Sequence, residues 1–162
     1  MGIVNATPDS FSGDGLVADV DACVNQALAM EQVGADIIDV GGESSRPPGL
    51  IYGEGAKEIS VEEELDRIIP VINAIRKFSN IPISVDTYKP LVAEEAINSG
   101  ANMINDVWGL KRSPDLAKIS AGKNVPLVIM HNQTGTEYND LIKDIISDLR
   151  SSITTAIGYG VK

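Results

Sequence analysis

The stretch Ile81–Val107 reads IPISVDTYKPLVAEEAINSGANMINDV. An apolar run, Ile81–Val85, stops at Asp86. A helical pattern follows from Pro90 to Ser99, and Gly100 ends it. A second apolar run, Asn102–Val107, carries Asn105 and Asp106 near its end. Strand, helix, strand in so short a span is the crossover unit of a parallel sheet.

The same grammar runs outward in both directions. Upstream lies a strand at Met1–Asn5 and a helix at Asp19–Val33, with Val20, Cys23, Val24, Ala27 and Leu28 on one face and Gly34 at its end. A strand at Asp36–Val40 follows, and Gly41 and Gly42 open a long loop through Glu58. Ser60 reads as an N-cap with Glu63 as its capping-box partner. The helix it starts carries Leu65, Ile68, Ile69, Ile72 and Ile75. Pro70 falls inside that pattern and should kink the helix or remove one hydrogen bond. Downstream come a short helix at Pro114–Ser120, a strand at Val125–Met130 and a helix at Tyr138–Ile157. The chain is thus five strand–helix units without linker or low-complexity segment. Strands this apolar are buried on both faces. Their helices lie on one side of a curling sheet or on both sides of an open one.

Composition narrows the function. The 162 residues suffice for one domain with a core. Aromatics are 4% against 43% hydrophobic residues, so that core is aliphatic. Thirteen basic and 23 acidic residues give a net charge of -10, which repels nucleic acid and anionic membrane. No apolar run approaches the ~20 residues of a membrane span, and no signal peptide is visible. A single cysteine, Cys23, excludes a disulfide framework, fits a cytoplasmic location and reads as core packing.

The ends of the strands are polar. They carry Asn5, then Asp39, then Asp86, then Asn105 with Asp106, then His131 with Asn132. In parallel α/β folds this edge builds the site. Asp106, adjacent to Asn105 on a strand, should point the other way. His131 reads as a lining or packing residue rather than a general base, because geometry decides that role.

The first strand runs into Asn5-Ala6-Thr7-Pro8-Asp9-Ser10-Phe11-Ser12-Gly13. A plain turn needs a Pro, Gly or Asn, but not also hydroxyls, a carboxylate and an exposed aromatic. This segment, with DIIDVGGESSRPPG, PISVDTYKPLVAEEAINSGANMINDVWG and VIMHN, resembles dihydropteroate synthase along essentially the whole chain.

That resemblance implies a (β/α)8 barrel, of which residues 1–162 hold about five units, stopping before the sixth strand. It implies condensation of 6-hydroxymethyl-7,8-dihydropterin diphosphate with p-aminobenzoate to give 7,8-dihydropteroate and pyrophosphate. This is the folate-pathway step blocked by sulfonamides, and Mg2+ assists it. Asp86 and Asn105 would read the pterin, with Asp39 reaching toward the ring and the reacting carbon. Asn5 would be the magnesium ligand. Arg46 would hold phosphate oxygens through its planar guanidinium. Thr7, Asp9 and Phe11 would belong to a loop over the diphosphate, with Asp9 countering charge. Phe11, Ser45 and Pro47 would wall the p-aminobenzoate slot. Asp39, Asp9 and Arg46 are the implied catalytic groups.

The chain departs from the family at three places. The loop RPPGLIYGEGAKEIS is longer than usual. Gly13-Asp14-Gly15 stands where Asp-Gly-Gly is commoner. The family's later motifs, on strands six to eight, do not occur. The expectation is therefore part of a longer synthase, a homodimer at full length, with little turnover by residues 1–162 alone. The alternative is a catalytically inactive, synthase-like pterin-binding paralogue or half-barrel subunit. A corrinoid methyltransferase on a similar barrel would lack the two diphosphate loops. A doubly wound binding module would not account for them.

Overall fold

The computed structural model describes residues 1–7, 19–44 and 57–162. Five strands alternate with five helices: β1 (Gly2–Asn5), α1 (Val20–Gln32), β2 (Ile38–Gly41), α2 (Val61–Arg76), β3 (Ile83–Asp86), α3 (Pro90–Asn98), β4 (Met103–Asp106), α4 (Asp115–Lys123), β5 (Leu127–Ile129) and α5 (Leu141–Gly158). All strand pairings are parallel, and the sheet order is β1-β2-β3-β4-β5.

Register decides which residues share a face. Across the sheet, Val4, Val40, Val85, Ile104 and Leu127 stand level. Four of these, together with Ile38 and Ile83, are fully buried. They pack under the helices, against Cys23, Ile68, Ile72, Ile75, Val92, Ala96 and Leu116. Each large aliphatic buried there contributes about 1.5–3 kcal/mol. Side chains alternate across a strand, so the neighbouring residues point to the opposite face. That face carries Ile3, Asp39, Ser84 and Met103 at one level and Asn5, Gly41, Asp86, Asn105 and Val128 at the next.

Successive helices touch in order, α1 on α2, α2 on α3, α3 on α4 and α4 on α5. With sequential parallel strands, that places all five on one side. Of the two arrangements open to the sequence, the structure has the curling, barrel-type one. The inner face is left free for a site.

Several boundaries differ from the sequence reading for local reasons. β2 runs one residue further, because Gly41 pairs with both Asn5 and Asp86. β5 has only three residues. α4 continues to Lys123 and closes on Asn124 in the left-handed region, φ 53°. α5 starts at Leu141, capped by the Asp140 side chain on the Lys143 amide. Ser60 caps α2 by accepting from the Glu63 amide at 3.1 Å. The reciprocal half of the box is replaced, since Glu63 accepts from Arg67 at 2.6 Å instead. α2 passes through Pro70 without a break. Pro70 is exposed, so water can serve the carbonyl it leaves unpaired.

Candidate functional site

The polar residues gather where the strands end. Asp39 is 5% exposed and Ser84 fully buried, side by side on β2 and β3. The Asn105 carboxamide donates to Asp39 Oδ2 at 3.1 Å. Asp39 Oδ1 and Ser84 Oγ are buried and meet no hydrogen-bond geometry. Burial pushes the Asp39 carboxyl up, while the nearby Ser84 hydroxyl and Asn105 pull it back.

Asp86 stands one level nearer the strand ends, beside Asn105. It accepts no hydrogen bond from any described residue. Burial, and then the charges of Asp39, Glu64, Asp106 and Glu43, push its carboxyl up to about 8. Gly41 lies between Asp86 and Asn5: a Cβ there would sit 3.6 Å from Asp86 Oδ2 and 3.9 Å from Asn5 Oδ1. The missing side chain leaves a hollow edged by a carboxylate and a carboxamide. Beside it, the buried and unpartnered Asp39 Oδ1 and Ser84 Oγ are costly unless a ligand meets them.

Thr7 is 1% exposed, with its hydroxyl unpartnered. Asn5 is half-buried at the end of β1, and its carboxamide bonds no described residue. Its oxygen suits a hard cation that keeps waters and takes ligand phosphates. No group of three or more His, Cys, Asp or Glu among the described residues could hold a metal without such help. Asp9, Phe11, Ser45, Arg46 and Pro47 lie outside the described residues.

Asp106 points away from the hollow, as alternation requires. It is fully buried, accepting from the Trp108 amide at 2.9 Å and the Leu110 amide at 2.6 Å. This shapes the turn in which Gly109 and Leu110 both take positive φ. His131 is likewise engaged, with Nδ1 2.5 Å from Asp148 Oδ2 and Nε2 3.0 Å from the Tyr138 hydroxyl. It packs the β5 end against α5, in keeping with a lining residue.

A second polar cluster escaped the sequence reading. Lys89 reaches Glu43 at 2.6 Å and Glu64 at 2.7 Å, all three largely buried. Arg112 stacks on Tyr88 and Trp108, 4.6 and 4.2 Å from the ring centres. One signal was available: Glu64 lies on the same helical stripe as Ile68 and Ile72 and is 1% exposed. A charge on an apolar stripe demands a partner.

A hollow of about 610 Å³ lies at the opposite end of the strands, lined by Glu31, Arg76 and Phe78 among others. It has no comparable set of strand-end polar groups, and the Arg76 guanidinium is bound to the Gly100 and Ile81 carbonyls and to Asn102. The polar groups left without a partner gather at the other end, with Asp39, Asp86 and Asn105.

Comparison with known proteins gives the family. The family profile described as pterin binding enzyme matches residues 1–162. The chain belongs to that family. It is 51% identical over 162 residues to a dihydropteroate synthase of Clostridium beijerinckii, covering 100% of this chain and 58% of the relative. A Clostridium difficile dihydropteroate synthase solved in the presence of pteroic acid superposes with a TM-score of 0.88 at 44% identity, over 100% of this chain and 59% of that one. A Xanthomonas albilineans dihydropteroate synthase with 4-aminobenzoic acid gives 0.86 at 39%, over 100% and 57%. The chain thus spans a little over half the length of these relatives. Among the described residues, no helix is long and apolar enough to cross a membrane.

Proposed function

We propose that this chain serves dihydropteroate synthesis. In that reaction the C–O bond of 6-hydroxymethyl-7,8-dihydropterin diphosphate breaks and pyrophosphate leaves. The p-aminobenzoate nitrogen forms the C–N bond and gives up a proton. The observation that carries the reading is the Asp39–Asn105 pair beside Asp86, which leaves Asp39 Oδ1 and the Asp86 carboxyl without a donor among the described residues. A pterin offers a matching edge of ring and exocyclic N–H groups.

Asp86 and Asn105 read that edge, and Asp39 holds Asn105 while facing the ring. Carboxylates on this side also favour positive charge developing at the pterin methylene as pyrophosphate departs. Asn5 would hold a magnesium ion, which when bound supplies charge to the diphosphate. Thr7, Asp9 and Arg46 belong to the diphosphate side of this reading. Phe11, Ser45 and Pro47 belong to the p-aminobenzoate side. A cytoplasmic homodimer blocked by sulfonamides completes the proposal.

The test uses the intact gene product, with both substrates and magnesium. Formation of 7,8-dihydropteroate with equimolar pyrophosphate is expected. Pterin binding without turnover would replace this reading with that of a non-catalytic pterin-binding relative.

A further inference from the structure

The Asn105 carboxamide stands on β4, and the Asp39 carboxylate that takes its hydrogen bond stands on β2. β3 runs between those strands, so the bond crosses β3 on the inner face. The β3 side chains on that face are Ser84, level with Asp39 and Met103, and Asp86, level with Gly41 and Asn105. A long side chain at position 84 would stand in the way of the crossing, and serine does not. Ser84 is fully buried, and its hydroxyl oxygen meets no partner. Its neighbour Asp39 has Oδ2 engaged by Asn105 and Oδ1 open. The hydroxyl can donate, and the ionised carboxylate can only accept. Leaving both unmet is costly at such burial. Burial pushes the Asp39 carboxyl up, and the Ser84 hydroxyl, then Asn105, pull it back, so the hydroxyl lies within electrostatic reach of the carboxylate.

A hydroxyl hydrogen turns to suit its acceptor, and the terminal torsion of an aspartate is soft. We propose that Ser84 is a positioning residue for the pterin site: small enough to let Asn105 cross β3, it donates its hydroxyl to Asp39 Oδ1 and so holds the carboxylate by both oxygens beside the bound pterin. A carboxylate oxygen has two lone pairs, so Oδ1 keeps one for the ligand. The inference rests on the pterin-binding half of the reading above.

The hydroxyl can be tested alone, because Ser84→Ala keeps the small side chain and the crossing. In the intact gene product with magnesium, calorimetry gives the dissociation constant of 6-hydroxymethyl-7,8-dihydropterin diphosphate. Ser84→Ala should raise it about tenfold, the size of effect carried by a hydrogen bond to a charged group. An unchanged constant overturns the proposal. A positioning role also requires that the loss run through Asp39. Ser84→Ala added to Asp39→Ala should therefore change the constant by less than about twofold, whereas a further loss of about tenfold would mark a merely structural effect and overturn the proposal. If Asp39→Ala does not fold, Ser84→Thr carries the test, since it keeps the hydroxyl. A constant within about threefold of wild type then supports the proposal, and a loss equal to that of Ser84→Ala overturns it. Turnover of the wild type is assayed separately. No dihydropteroate, with the binding results as expected, removes the synthase reading and leaves the Ser84 assignment; normal turnover with additive losses does the reverse.

Discussion

Asp86 sits in a field set against its own charge. Its carboxyl is raised to about 8, so folding takes up a proton between the ordinary carboxylate range near 4 and pH 8. Its contribution to stability is complete at low pH and falls as pH rises through that window, levelling off above it. Asp86→Asn removes this slope. The stability advantage of the Asn variant over wild type should grow from near zero at about pH 4 to a plateau above about pH 8, as read by urea midpoints across pH. Ligand N–H groups favour the ionised carboxylate, so pterin affinity of the wild type should rise with pH up to about 8. The same titration in Asp86→Asn should be flat and weaker by about tenfold or more at its upper end. On the proposed synthase reading, function and stability oppose each other at this side chain.

That Asp39, Asp86 and Asn105 share one face near the strand ends was legible because side chains alternate along a strand and these strands end together. Glu43 and Lys89 were not, because they lie past the strand ends, where period-2 alternation no longer applies. Their mutual contact spans 46 positions, and no local pattern encodes it.

Two adjacent glycines after β2 look alike in sequence and do different jobs. A Cβ on Gly42 would fall 2.7 Å from Ile68 Cγ2, 2.9 Å from Glu64 Cγ and 3.2 Å from the Glu64 carbonyl oxygen. Gly42→Ala must push α2 off β2 and should cost about 1–3 kcal/mol, seen as a lower denaturant midpoint at unchanged slope. A Cβ on Gly41 meets only ordinary contacts, so Gly41→Ala should leave the midpoint nearly unchanged. It fills the hollow between Asp86 and Asn5 and should weaken pterin binding about tenfold in calorimetry. The sequence marks the pair as a loop opening and no more, since the distinction depends on what α2 and β3 bring up on either side. Helix ends were easier: Ser60, Gly34 and Gly100 act locally. α4 overran its expected end because the left-handed Asn124, not a glycine, closes it.

The parallel strand order was legible from the alternation of apolar runs and helical patterns, but the side taken by the helices was not. Handedness permits either wrap for an isolated unit, and only the sheet order and the helix neighbours decide it. The consequence is an inner face with Ile3 52% and Val128 40% exposed, between β1 and β5, each paired on one side only among the described residues. Unpaired strand edges with apolar flanks associate. Residues 1–162 prepared alone should therefore sediment as concentration-dependent oligomers rather than a single small species; a sharp monomer boundary at all loadings would contradict this.

The sheet order has one more consequence. Every strand lies beside the strand made just before it, and every helix docks on the helix just before it. A ribosome releases the chain in the same direction in which its neighbours are needed. Within residues 1–162 each new unit can settle on a finished one. The closures required are short, which favours rapid, stepwise acquisition of structure during synthesis. Pulse-labelled nascent chains should show protection of β1 to β3 before α5 has left the exit tunnel.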